Sequence, residues 1–310
     1  MPPLSMYENL DLFAYNESQR NLLKLLGKSG KVKSKKAQKV ILMAAPSFVV
    51  DFDYKNFVPL MKGLGFDLVT ELTFGAKMVN LNYHEYIKTH KNKQHKFISS
   101  VCPSSVALVK SQHPDLARFL MPFDSPMIAM AKIMKKHHPK HKIVFLAPCS
   151  AKRIEAKKYI YKKKPLIDCT VTFTEMKQIV AKEKPKSKKG VGNKFDSFYN
   201  DYTKVYPLSG GLSATLHSKD ILKKNEIVAC DGCNNLAELF SKHPDKTFYD
   251  ILYCDGGCIG GNGVASRLPT YLKKRKVIVY RNLAKREKAG KTHIGVEKFT
   301  KGLNFSRNFD

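Results

Sequence analysis

Seven cysteines occur in the chain, and four of them stand where short apolar runs end. Cys102 follows FISSV, Cys149 follows IVFLA after one proline, Cys254 follows ILY, and Cys258 comes one turn later. Thiolates are soft ligands, so four of them brought together in a reducing compartment suit a [4Fe-4S] cubane, one on each iron. Gly256, Gly257, Gly260 and Gly261 of CDGGCIGGNG fit such a centre. Without a Cβ, the backbone can approach an inorganic core and offer it N-H groups. A rival reading pairs Cys230-Asp231-Gly232-Cys233 with Cys254 and Cys258, 20 residues further on, as a structural zinc site. With the basic charge, that would be a zinc-containing nucleic-acid-binding protein, but it leaves Cys102 and Cys149 without a role. Cys169, inside IDCTVTF, reads as a small buried hydrophobe.

For the thiols to meet, strands must carry them to one edge. Val40 to Ala45, Phe97 to Val101, Ile143 to Ala147, Thr170 to Phe173 and Ile251 to Tyr253 are short apolar runs bounded by turn residues, with Glu226 to Ala229 a possible sixth. Helix-like patterns follow them, which predicts βα units on parallel strands and an α/β fold. The C-terminal ends of parallel strands share one edge, where ligand sites form, so the cysteines can converge there. Pro103 suits the first turn of a helix, and the spacing of apolar residues predicts that helix over 104–120.

The 310 residues are 43% hydrophobic, enough for one large core or two modest lobes and too apolar for a mainly disordered chain. No stretch approaches the roughly 20 apolar residues that span a bilayer, and the N-terminus lacks the order of a signal peptide, so a cytoplasmic location is expected. An odd cysteine count without an export signal favours metal or redox chemistry over a disulfide framework. Lys and Arg number 55 against 26 Asp and Glu, a formal charge of +29. Such a field attracts polyanions or acidic proteins. The Lys-rich runs near 31–39, 157–164 and 182–189 nevertheless read as solvated faces, so a nucleic-acid partner is not expected. Residues 1–39 read as a basic arm with a short amphipathic segment at 21–26, residues 182–205 as a surface loop between two βα clusters, and residues 271–310 as a basic extension packed on the domain.

FISSVCPSS, DSPM, APCSAKRIEA, DCTVTFTEM, SGGL and CDGGCIGGNG, in that order over about residues 40–265, resemble the catalytic domain of [FeFe]-hydrogenases, the iron hydrogenase large subunit. The resemblance implies an α/β catalytic domain at 40–270 made of two lobes, each with a small mainly parallel sheet flanked by helices. Between them lies an H-cluster: a [4Fe-4S] cubane joined through one cysteine sulphur to a diiron subsite with CO and CN ligands and a bridging dithiolate. Carried over by position, Cys102, Cys149 and Cys254 would bind the cubane, and Cys258 would be its fourth ligand and the bridge. Lys152 would face a cyanide ligand, where an ammonium can donate to an anion. Pro46 and Ser47 would line one wall of the diiron pocket, and Ser125, Pro126 and Met127 another.

The chain also departs from the family pattern. Val101 stands where the family carries a proton-exchanging cysteine, Tyr83 and Tyr86 align with two relay glutamates, and the relay serine falls near Met121. Ala147 replaces a packing methionine, and IGGNGVA replaces a longer glycine run. His84, Glu85 and His90 offer groups for another route. No cysteine precedes Cys102, so the resemblance implies an external electron carrier, ferredoxin-like and acidic to suit the basic surface, with maturation proteins supplying the diiron group. The expected activity is reversible reduction of protons to dihydrogen by a minimal hydrogenase. The alternative is a non-turnover sensor that holds the H-cluster or an Fe-S centre alone.

Overall fold

A computed structural model of the chain describes residues 15–28, 38–198, 202–216, 221–232, 235–286 and 296–309. Its strands are β1 (Val40–Ala44), β2 (Leu68–Glu71), β3 (Phe97–Ile98), β4 (Lys142–Ala147), β5 (Ile160–Tyr161), β6 (Lys164–Pro165), β7 (Cys169–Thr172), β8 (Ile227–Cys230) and β9 (Phe248–Ile251). The helices are α1 (Glu17–Leu25), α2 (Tyr54–Leu64), α3 (Thr73–His90), α4 (Pro103–Gln112), α5 (Pro126–His137), α6 (Ala151–Lys157), α7 (Phe173–Glu183), α8 (Leu236–Lys242), α9 (Thr270–Arg286) and α10 (Val296–Thr300).

Two parallel sheets organise the chain, as the α/β expectation required. The larger has strand order β2-β1-β4-β7 and the smaller β3-β9-β8, while β5 and β6 form a separate antiparallel hairpin. Every residue of β1, VILMA, is buried, the continuous apolar run of a strand covered on both faces. The division into lobes does not follow the chain. β3 lies between β2 and β4 in sequence yet pairs with β9 in the smaller sheet. The expectation of two βα clusters split by a loop at 182–205 is therefore corrected. That loop is also tied down: the Asp196 carboxylate accepts from Val69 N at 2.7 Å and pairs with Lys62, completing the outer edge of β2.

The expected helix over 104–120 ends at Gln112, because Pro114 lacks the N-H a continuing turn needs; a 3-10 helix, Pro114–Phe119, follows. The amphipathic segment of the N-terminal arm begins earlier than expected, as α1. Asn16 and Gln19 form its capping box, and its buried face, Leu22 included, joins the core beside β7 and α7. Gln19 Nε2 donates to Glu175 O at 3.1 Å, so this stretch of the arm is a packed member of the larger lobe. Residues 1–14 and 29–37 lie outside the described residues. Strand β2 had no apolar signature because it ends on a buried charge. Glu71 is fully buried, pairs with Lys204 and accepts from the Tyr280 hydroxyl at 2.8 Å. Lys204 in turn donates to the Tyr280 hydroxyl at 2.9 Å, which joins β2, the 202–205 turn and α9 across more than a hundred residues of sequence.

Candidate metal centre between the two sheets

Cys149 lies two residues beyond β4, at the C-terminal edge of the larger sheet. Cys102 is the N-cap of α4, four residues beyond β3, and Cys254 lies three beyond β9, both at the matching edge of the smaller sheet. Cys258 sits in a 3-10 turn, Gly257–Gly260. This turn crosses between lobes: Cys258 N donates to Pro207 O at 2.8 Å, and Gly263 N donates to Pro148 O, beside Cys149, at 2.8 Å. Two of its glycines are required by that crossing. Gly257 adopts φ of +73°, and a Cβ there would stand 2.5 Å from Pro207 O; at Gly261 it would stand 2.4 Å from Pro148 O. The close approach these glycines allow is thus of backbone to backbone.

The four thiols form one electrostatic group. Burial pushes the Cys258 thiol well above its ordinary pKa, and the neighbouring sulphurs of Cys102, Cys149 and Cys254 push in the same direction. Burial raises Cys254 to about 11, with Cys102 and Cys149 adding to it. Cys149 is also raised by burial, against the pull of Lys152. Thiols so disfavoured as anions become ligands only when a metal supplies the compensating charge. Among the described residues, no three His, Cys, Asp or Glu side chains gather about a point that could take a single metal ion. A cubane places its ligands on separate corner irons, wider apart than the donors of one zinc ion. Cys230 ends β8 in the smaller sheet, and Cys233 lies outside the described residues. Cys169 is buried at β7, its thiol raised to about 12 by burial and donating to Ser18 O at 3.5 Å, away from the group.

A mainly apolar cavity opens beside the thiols. Ala45, Pro46, Ser47, Phe145, Pro148, Cys149 and Lys152 line it from the larger lobe; Val101, Cys102, Pro103, Leu252 and Cys258 line it from the other. Pro126 also contributes, whereas Ser125 and Met127 are fully buried and not among its lining residues. Ser47 Oγ is buried on this wall with no hydrogen-bond partner among the described residues. An orphaned hydroxyl of that kind costs about 1–3 kcal/mol unless a ligand satisfies it. Lys152, 9% exposed, donates to Val101 O at 3.1 Å and to Glu155 Oε2 at 2.7 Å. Three thiols, an ammonium and an unsatisfied hydroxyl around an apolar hollow, with the Cys254 thiol close enough to act on the Cys258 thiol, fit an anionic metal cluster. Tyr206 and Pro207 form a further wall, with the Tyr206 hydroxyl donating to Asn80 Oδ1 at 3.1 Å. Reading by motif missed them, since they precede SGGL in a stretch without periodicity.

The positions expected from the resemblance to hold a relay form a closed network. The Tyr83 hydroxyl accepts from Ser100 N at 2.8 Å and meets Ser100 Oγ at 2.8 Å, and that Oγ donates to Met121 O at 2.7 Å. Tyr83 is fully buried, and burial drives its pKa far above neutral. Tyr86 stacks on His90 with ring centroids 4.0 Å apart. Glu85 is exposed and His84 half-buried, and neither these two nor His90 lines the cavity.

The two sheets of this α/β domain thus bring thiols from their strand ends to one cavity. The family model for the iron-only hydrogenase large subunit, C-terminal domain, matches residues 38–262, and the chain belongs to this family. It is 23% identical over 276 residues to iron hydrogenase 1 of Clostridium pasteurianum, covering 73% of this chain and 48% of that protein. It is likewise 23% identical over 276 residues to the NADP-reducing hydrogenase subunit HndD of Solidesulfovibrio fructosivorans, covering 71% and 47%. The chain thus spans about half the length of these curated relatives. Among solved structures, the fold is similar to an apo variant of the [FeFe]-hydrogenase HydA1 from Chlamydomonas reinhardtii, with a TM-score of 0.69 and 17% identity over 91% of this chain and 94% of that one. The HydA(deltaEFG) structure, which reports stepwise [FeFe]-hydrogenase H-cluster assembly, gives a TM-score of 0.69 at 15% identity, covering 92% and 95%.

Proposed function

We propose that Cys102, Cys149, Cys254 and Cys258 hold the [4Fe-4S] cubane of an H-cluster, with Cys258 also bridging to the diiron subsite, and that the protein reduces protons to dihydrogen or runs the reverse. The observation that carries this is the placement of Cys102, Cys149, Cys258, Lys152 and the Ser47 hydroxyl, which has no partner among the described residues, around one cavity between the lobes, with the Cys254 thiol in the same electrostatic group. When bound, the H-cluster supplies the open iron coordination and dithiolate base at which protons and electrons combine. The chain's own residues do the rest. Lys152 presents an ammonium to an anionic ligand, Ser47 donates a hydrogen bond to one, and Ala45, Pro46, Val101, Pro126, Phe145 and Leu252 exclude water. Electrons come from an external acidic carrier of the ferredoxin type, drawn by the basic surface, and maturation proteins deliver the diiron group. The protein works in the cytoplasm; among its described residues no helix is long and apolar enough to cross a membrane.

A second reading, an H-cluster sensor with little turnover, is favoured by Val101 and by the buried Tyr83–Ser100 pair, which put no group titrating near neutrality at the aligned relay positions. Hydrogen evolution from a reduced viologen, assayed on protein matured with a synthetic diiron complex, separates the two. Evolution supports the enzyme, and a fully assembled but inert cluster supports the sensor.

A further inference from the structure

Glu155 is 2% exposed and has two cations on one carboxylate. Its Oε2 accepts from Lys152 at 2.7 Å, and its Oε1 from Arg307 Nη1 at 3.3 Å. Arg307 is fixed from outside the cavity. Its backbone N donates to Pro122 O at 3.0 Å, the flanking Phe123–Ser306 pair forms a β-bridge, and buried Phe305 accepts through its carbonyl from Asp124 N at 2.8 Å. The guanidinium lies over the Phe309 ring at 4.5 Å and near the Tyr159 ring at 6.0 Å. The side chain is therefore held against Glu155 rather than free in solvent.

The charge balance of this trio sets what Lys152 can do. Lys152 and Glu155 alone would form a neutral buried pair, with the ammonium's field cancelled within one side-chain length. Arg307 on the outer oxygen shares the carboxylate, so the three groups sum to one net positive charge beside the cavity. Of the three ammonium donors, one goes to Val101 O and one to Glu155, leaving the third for a ligand. We infer that Arg307 is a positioning residue, which by engaging Glu155 keeps Lys152 a net cationic donor toward an anionic group in the cavity. This rests on the reading above that a cyanide-bearing diiron group occupies that cavity.

The test is made on full-length protein carrying its reconstituted cubane, incubated with a synthetic dicyanide diiron complex and read by infrared spectroscopy. The readouts are the fraction of complex taken up and the position of the CN stretches. Arg307→Ala should take up the complex about fivefold more weakly, on the scale of one partly screened ion pair, and shift the CN bands. Arg307→Lys should restore both. Glu155→Gln, which removes the anion and leaves both cations, should tighten uptake and move the bands the opposite way, a result that general disruption of the fold would not give. Wild-type uptake with both Arg307→Ala and Glu155→Gln unchanged overturns the role of Arg307 and leaves the cluster reading intact. No uptake by the wild-type protein removes both.

Discussion

Lys152 Nζ donates at 3.1 Å to the main-chain carbonyl of Val101, the position where the sequence resemblance leads us to expect a proton-exchanging cysteine. Position 101 thus touches both the cavity and the lysine that faces it. The valine side chain has no group that can exchange a proton.

Val101→Cys should therefore raise hydrogen evolution by matured protein by about 10²-fold or more, the usual contribution of a placed acid-base group. The swap removes one methyl from a well-packed wall and should cost only ~1 kcal/mol, visible as a small drop in melting temperature. An unchanged rate with the cluster assembled would locate the deficiency beyond this residue.

Ser47→Ala tests whether the buried hydroxyl serves a ligand. A serine bonded within the fold loses stability on truncation, but Ser47 Oγ has no partner to lose among the described residues. The apo variant should melt at the same temperature or above it, since an unsatisfied polar group costs about 1–3 kcal/mol. In matured protein the CN stretches should shift. A clear loss of apo stability without any spectral change would assign the residue to packing.

The cysteines should divide by metal content. Cys169→Ala should retain the wild-type iron and acid-labile sulphide after reconstitution, because its thiol is occupied by Ser18 O within the larger lobe. Cys254→Ala should lose most of both. Elemental analysis of the two variants side by side reads the difference, and equal iron in both would contradict the ligand set.

Much of this arrangement was legible from residue order, and the remainder was hidden for identifiable reasons. β4 and β1 announce themselves as uninterrupted apolar runs, and the strand-end cysteines mark the edge where ligands gather. β2 was silent because its last residue, Glu71, is buried against Lys204, 133 residues away, a pairing no local pattern encodes. β3 was read as a strand, but its membership of the second sheet depends on β9, far away in the chain. Lys152 alone would pass for a surface lysine. Its burial follows from Glu155, one helical turn later, and from Arg307, which only the folded chain brings near.

Asp250 gives a pH signature of the scaffold itself. It is buried in β9, where Ser213 N and Oγ both donate to Oδ2, yet burial still raises its pKa above 3.8. The folded protein thus binds a proton more tightly than the unfolded chain at this residue, so its contribution to stability is full at low pH and falls as pH rises through the folded pKa. Asp250→Asn should flatten this decline in chemical denaturation measured upward from the ordinary carboxylate range, with the variant gaining on the wild type as pH rises. A parallel pH dependence in both proteins would contradict it.

Whether the four strand-end thiols and the cavity beside them hold an H-cluster is tested most directly by infrared spectroscopy. Anaerobically reconstituted protein is incubated with a synthetic diiron complex and its spectrum recorded in the region of metal-bound CO and CN stretches. Sharp CO and CN bands that stay with the protein through desalting, and that vanish in Cys258→Ala, are the predicted result. Protein that binds zinc in place of iron and shows no such bands would contradict it.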